Sequence, residues 1–158
     1  VIVVADTSPI KYLVLMDAVD ILPRMYQRIV IPPGVEMELT HARTPQRVRE
    51  WMKQRPAWLE VIAAPQAEFS NAEFAQLDLG EREAISLATT IRADQIVIDE
   101  MRGRQVASAL GLQVIGTLGI LREASLRGLI DLPRTIKRLQ ETRFRIAKHI
   151  LEDVLRND

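Results

Sequence analysis

The chain has no cysteine and only two histidines in 158 residues. No disulfide framework or thiolate metal site can be built from it, and two imidazoles are too few for a His-rich zinc centre. A metal site here must be made of oxygen, which suits magnesium or manganese. Aromatic residues are scarce at 4%, so there is little sign of a broad base-stacking platform. No uncharged apolar run approaches the roughly 20 residues that span a bilayer. The apolar opening is also too short for a signal peptide and lacks its basic leader. The expectation is a soluble, cytoplasmic protein with no membrane contact.

Apolar residues make up 47% of the chain, enough at this length for one domain with a sizeable core and too little chain to argue for two. A single domain over residues 1–158 is expected. The formal net charge is zero but unevenly spread. Residues 1–100 hold 10 Lys/Arg against 15 Asp/Glu, and residues 101–158 hold 11 against 6. The first part is acidic and holds the candidate site. The second, with Arg134, Lys137, Arg138, Arg143, Arg145 and Lys148, is basic enough to guide a polyanion, or is simply a set of solvated helix faces.

Val1 to Ala5 reads as a short strand buried on both faces, and Asp6 is the first residue that cannot share that burial. Pro9 fits the first turn of a helix running to Met16, and Asp17 to Met25 forms a second short one. Arg28 to Ile31 is a strand stopped by Pro32-Pro33, with Pro33 opening a helix that breaks near Thr40 to Pro45. Pro45 to Arg55 is a polar helix on which Trp51 reads as a packing anchor. Trp58 to Ile62 alternates between prolines, as an edge strand does. Ala67 to Asp78 reads as a loop with a helical piece.

Gly80 to Arg92 carries Ala84, Ile85, Leu87, Ala88 and Ile91 at helical spacing. Gln95 to Ile98 is a strand ending in Asp99, so the chain makes the same strand-to-acid transition twice. A helix from Met101 closed by Gly111, a strand from Leu112 to Ile115 and a helix from Leu118 with Gly128 just past its end follow. Residues 132–158 form two C-terminal amphipathic helices, Leu132 to Thr142 and Ala147 to Arg156. This alternation predicts an α/β fold: a three-layer α/β/α sandwich with a mainly parallel central sheet.

Parallel strands joined by right-handed crossovers end on one edge, so Asp6 and Asp99 meet there if their strands are neighbours. The helix beginning at Gly80 runs antiparallel into the strand before Asp99, which brings Glu81 to the same edge. Glu38, early in the helix after the second strand, can reach it too. Several carboxylates at one edge repel unless a cation sits among them, and a hard divalent ion would relieve this. Against this stand simpler roles: Asp6 as a helix cap, Glu81 as a first-turn acid favoured by the helix dipole, and Glu100 with Arg104 as an i, i+4 surface pair. Glu36 and Glu83, two residues from Glu38 and Glu81, face elsewhere and read as structural or solvated.

These residues resemble the PIN-domain family of metal-dependent ribonucleases, and within it the short VapC-like proteins. The likeness rests on Val4-Ala5-Asp6-Thr7-Ser8-Pro9, on Pro32-Pro33-Gly34-Val35 with Glu38, on Leu79-Gly80-Glu81 with Ala84 and Ile85, and on Ile98-Asp99-Glu100 followed by Gly103-Arg104. It continues through Gly111-Leu112, Gly116-Thr117-Leu118-Gly119 and Gly128, up to about Leu132. Typical VapC toxins have Asp where this chain has Glu81, and Thr where it has Val97. Gly80-Glu81 and Asp99-Glu100 are similar instead to a less characterised subgroup.

The resemblance implies a metal site of Asp6, Glu81 and Asp99 holding Mg²⁺ or Mn²⁺, with Glu38 as a fourth catalytic acid acting through water or in proton transfer. It implies phosphodiester hydrolysis of RNA by a toxin paired with a small antitoxin protein, and a homodimer. Ser8 would hold a water or an Asp6 oxygen. Arg104 would contact phosphate or hold Asp99 or Glu100, and Thr117 would line the same groove. Two rival readings remain. One is a PIN-like module without useful turnover that acts through dimerisation or partner binding, using the C-terminal helices with Phe144 and Ile146 between them. The other is a haloacid-dehalogenase-type phosphatase or a receiver domain. The first of these wants a second Asp where Ser8 stands, and the second wants an acidic pair before its phosphoacceptor.

Overall fold

The structure, a computed structural model, describes residues 1–65, 69 and 71–156. The described strands are β1 (Ile2–Ala5), β2 (Arg28–Ile31), β3 (Leu59–Val61), β4 (Gln95–Val97) and β5 (Val114–Ile115). The described helices are α1 (Thr7–Leu15), α2 (Leu22–Met25), α3 (Pro33–Thr40), α4 (Gln46–Lys53), α5 (Leu79–Thr90), α6 (Met101–Ala109), α7 (Thr117–Leu126), α8 (Leu132–Gln140) and α9 (Lys148–Arg156). The strands form one sheet in the order β3-β2-β1-β4-β5, and every pairing is parallel.

The inner strands are unbroken apolar runs because helices cover both of their faces. Val3 and Ala5 of β1, with Ile29, Ile31 and Val97, pack against the layer containing α1, α4, α7 and α8. Val4, Val30 and Ile96 point the other way, into α5 and α6. The two-residue alternation of a strand thus divides the core between the two helical layers. The expected three-layer sandwich is present, with a sheet wholly parallel among the described strands.

The sequence reverses direction across this sheet. From β1 the chain builds outward through β2 and β3 on one side, then returns to add β4 and β5 on the other. β1 and β4 are therefore neighbours at a topological switch point, where a crevice opens beyond the carboxyl ends of the strands. Ala5 lies opposite Val97, and the Asp6 N–H donates to the Val97 carbonyl at 2.9 Å. The chains leave the sheet immediately after these residues.

Helix boundaries follow local chemistry. Pro33 opens α3, where its fixed φ and missing N–H cost nothing. Gly111 (φ +86°) and Gly128 (φ +72°) follow α6 and α7 in the left-handed conformation that only glycine adopts without strain. Trp51 is a packing residue, half-buried with its ring 5.9 Å from that of Trp58. The segment expected between Asp17 and Met25 divides into a 3-10 turn, Val19–Ile21, and the short α2. Of the loop expected over 67–78, Ala67, Glu68 and Ser70 lie outside the described residues, and the helical piece is a 3-10 turn at Phe74–Gln76. Among the described residues no helix is long and apolar enough to cross a membrane.

Ile96, fully buried between the central strands and α5, sets the scale of core packing. Ile96→Ala is expected to cost about 2–5 kcal/mol. Met37→Ala, at a side chain 64% exposed, is expected to stay within about 0.5 kcal/mol. Urea unfolding of both variants checks the contrast, and equal losses would contradict this placement of the core.

Candidate functional site

Among the described residues the buried charged side chains are Asp6, 6% exposed, and Glu81, 8% exposed. Both stand at the switch-point crevice. Asp6 follows β1 and occupies the N-cap position of α1, yet its side chain makes no capping hydrogen bond beyond Thr7, the residue next to it. Its carboxyl accepts instead from the adjacent Thr7 N–H. A simple cap is thus a poor description of Asp6.

Glu81 lies in the first turn of α5, whose N-cap is Asp78. Asp78 Oδ1 accepts the Glu81 N–H at 2.8 Å, while the Glu38 carboxyl from α3 accepts the Gly80 N–H. Two acids therefore satisfy the opening of one helix. Lys11 of α1 is the cation that acts on Glu38. Thr7 Oγ1 is buried with no hydrogen bond of ordinary geometry, but it lies near enough to Glu38 to favour its ionised form.

On the far side of the crevice, Asp99 is clipped by one residue. Thr117 donates its N–H to Oδ1 at 2.7 Å and its hydroxyl to Oδ2 at 2.6 Å. Thr117 is fully buried at the start of α7, so this clip fixes the Asp99 carboxyl plane. Arg104 acts electrostatically on Asp99 and donates Nη1 to the Ile98 carbonyl at 3.0 Å.

Glycines make room for these groups. A Cβ on Gly80 would stand 2.6 Å from Glu38 Oε1, and one on Gly103 would stand 3.2 Å from Glu81 Oε2. A Cβ on Gly116 would stand 2.6 Å from Arg104 Nη1 and 3.0 Å from Asp99 Oδ1. At Gly80 and Gly116 a site side chain stands where another residue would have its own, while at Gly103 the Ile98 side chain stands there first, at 2.5 Å, with Glu81 beyond it.

The acids disturb one another's ionisation. Burial pushes Asp6 up to about 7, reinforced by the charges of Asp78, Glu38 and Asp99 and partly offset by the Thr7 N–H. Burial also raises Glu81 to about 8, with Asp78, Asp6 and Glu100 adding repulsion and a hydrogen bond to Asp78 favouring the protonated form. Glu38 and Asp99 are raised by burial as well, each against the pull of its hydrogen-bond donors. The groups gather at one edge without converging: among the described residues no three acidic or imidazole side chains meet within ligating reach. The donor set itself is all oxygen, crowded and short of positive charge, and it fits a hard divalent cation.

The model of the family DUF3368, a PIN domain, matches residues 2–158. The chain belongs to this PIN-domain family. The PIN domain is a nuclease fold, and divalent ions are typical of it. Among solved structures, a PilT N-terminus domain protein from the hyperthermophilic archaeon Sulfolobus solfataricus P2 is similar at 12% identity, over 93% of this chain and 100% of that one, with a TM-score of 0.48. No curated protein matches the chain.

For this PIN domain, Asp6, Glu38, Glu81 and Asp99 do come to one edge, with Thr117 beside them. Glu100 is engaged locally, capping α6 by accepting the Gly103 N–H at 2.8 Å. It therefore forms no i, i+4 ion pair with Arg104, whose guanidinium turns to the Ile98 carbonyl and Asp99. Ser8 sits half-buried in the first turn of α1, and Thr7 rather than Ser8 supplies the Asp6 contact. Glu83 and Glu36 are structural, Glu83 accepting the Gly34 N–H at 3.0 Å and Glu36 pairing with Arg55 at 2.7 Å.

Asp78, at the end of the stretch expected to be a loop, is a further member of the site. It adds negative potential at Asp6, Glu38 and Glu81 alike. Its signal was present as the capping-box spacing, an acid three residues before Glu81 at the head of an apolar-periodic helix.

Raised carboxyl pKa values mean that the folded chain holds protons the unfolded chain has released. Stability from Asp6 and Glu81 is therefore complete below their ordinary values and lost as pH rises through about 7 and 8. In metal-free buffer the melting temperature should fall as pH is raised from about 5 to about 8. Asp6→Asn should flatten that fall and melt several degrees higher than the parent at pH 8, 1 kcal/mol being worth about 2–4 °C at this size. Scanning calorimetry across pH checks both, and a parent profile flat over this range would contradict the proposed burial of charge.

Proposed function

We propose that this PIN domain is a Mg²⁺- or Mn²⁺-dependent endoribonuclease of VapC-like type, acting as the cytoplasmic toxin of a toxin-antitoxin pair and restrained as a homodimer by a small antitoxin protein. The observation that carries the nuclease part is the pairing of strand-end acids from β1 and β4 across the switch point, with Glu81 buried beside them. Buried acids at the mouth of a crevice are costly to a fold, and a bound cation is a physical reason for a chain to keep them.

In this reading Asp6, Glu81 and Asp99 hold the ion. When bound, it supplies an acidified water and positive charge for the scissile phosphate. Thr117 holds the Asp99 oxygens in one orientation, making it a positioning residue. Glu38, its carboxyl anchored on the Gly80 N–H, takes up the proton released by the attacking water. Arg104, already aimed along the same edge by the Ile98 carbonyl, balances charge on the phosphate. The resemblance and the exposed apolar side chains of α9, Ile150 and Leu155, on a helix that docks only through half-buried Leu151 and Val154, support the antitoxin and dimer parts.

One observation favours a second reading, a module that binds a partner without turnover: the acids do not converge within ligating reach among the described residues. The two readings separate in a single assay. Purified chain with Mn²⁺ should cleave total RNA, and Asp6→Asn or Asp99→Asn should slow cleavage by about 100-fold or more. Mn²⁺ should also raise the melting temperature of the parent and of neither variant. Cells expressing the chain alone should grow slowly unless Asp6 is replaced. No cleavage, no toxicity and tight binding of a protein partner would support the second reading instead.

A further inference from the structure

A groove of about 630 Å³ begins at Asp99 and runs between α6 and the residues leading into α9. That volume lies within the range of small-ligand sites, about 300–1,000 Å³. Its walls combine two chemistries. Met101, Phe144 and Ile150 present apolar surface, and Arg104 and Arg145 present positive charge. Met101 is 66% exposed and Ile150 43%, so both side chains are open to an occupant of the groove. Phe144 is held in place edge-on to Tyr12, with ring centroids 5.0 Å apart at 84°.

The charges are available. Arg145 is exposed and makes no side-chain hydrogen bond or ion pair among the described residues. Arg104 uses Nη1 on the Ile98 carbonyl, leaving further N–H groups of its fork. Asp99 is the one acid among the groove's lining residues, and Thr117 already engages both of its oxygens. An occupant must therefore be apolar over part of its surface, anionic over another part, and continuous with the crevice. A purely apolar protein segment would leave the Arg145 guanidinium without a partner.

We infer that this groove seats the nucleotide flanking the scissile phosphate, with its base against Met101, Phe144 and Ile150 and a neighbouring phosphate on Arg104 and Arg145. The inference rests on the nuclease reading above and names the part of the RNA that the site grips. Two consequences follow from the lining. The base must be unpaired to enter, so single strands are preferred over duplex. Met101, Phe144 and Ile150 carry no donor or acceptor for a base edge, so selection is by apolar contact area, with purines favoured over pyrimidines and no strict sequence.

The test is fluorescence anisotropy in EDTA, where cleavage does not intrude, with three labelled strands of equal length: oligoadenylate, oligouridylate and an abasic ribose-phosphate strand. Oligoadenylate should bind at least about 5-fold more tightly than the abasic strand, with oligouridylate between them. The double variant Met101→Ser/Ile150→Ser should lose that advantage while keeping its affinity for the abasic strand and its melting temperature. Both positions are exposed, and either single variant should show part of the same loss. Arg145→Gln should weaken all three strands alike and lower the salt-dependence slope by about one.

A base advantage that survives in the double variant, or is missing in a parent that binds the abasic strand, would overturn the inference. So would a double variant that changes only the sedimentation of the chain, which would assign the groove to protein contact. In each of those cases Mn²⁺-dependent cleavage by the parent would leave the nuclease reading standing. Absence of both RNA binding and cleavage would remove the two together.

Discussion

The structure depends on keeping several carboxylates at one edge of a parallel sheet without a protein cation among the buried ones. Burying an ionised carboxyl is expensive, and a second one nearby raises the cost. Asp6 and Glu81 carry both penalties, seen in their rise to about 7 and about 8. What makes the arrangement tolerable is the direction of the helices. α1, α3, α6 and α7 each follow a parallel strand, and α5 runs back antiparallel into β4. All five therefore point the positive ends of their dipoles at the acidic edge. Backbone N–H groups of Thr7, Gly80, Glu81, Gly103 and Thr117 meet carboxyls there.

This division of labour sorts the acids. Asp78, Glu83 and Glu100 each close the N-terminus of a helix, work that any helix end requires. Asp6 meets only the N–H of Thr7, the residue after it, and Asp99 reaches from β4 to the N–H and hydroxyl of Thr117 at the head of α7. Glu38 bonds across elements, from α3 to the head of α5. Gly80 keeps space clear for Glu38, and Gly116 for Arg104 and Asp99. Acids crowded at one edge, whose backbone donors do not offset the cost of their burial, are what a shared cation would exploit.

Much of this was legible in the sequence, because burial on both faces writes itself as unbroken apolar runs. Val1 to Ala5 and Gln95 to Ile98 each end in an acid, so the two strand-end carboxylates and the parallel sheet followed from pattern. Glu81 followed from the antiparallel return of one amphipathic helix. Asp78 did not, because a polar stretch without periodicity hides a cap unless the spacing to the next acid is checked. Arg104 beside Asp99 was foreseen, but the partner of Glu100 was hidden: i, i+4 spacing permits an ion pair, yet a helix N-terminus competes for the same carboxylate, and at Glu100 the backbone prevailed. The groove beside Asp99 is a product of tertiary packing, since α6 and the segment before α9 lie some 40 residues apart and meet only in the fold. β5 was shortened to two residues for a similar reason, as an edge strand with a single neighbour has little to hold its ends.

The central claim is that the crevice binds a divalent cation in place of protons. Calorimetric titration of Mn²⁺ into the metal-free chain at pH 7, in two buffers of different ionisation enthalpy, counts the protons released. Binding should release about one proton per chain, and Asp6→Asn with Glu81→Gln should remove both the binding and the release. Binding that releases no proton, or no binding at all, would contradict the claim.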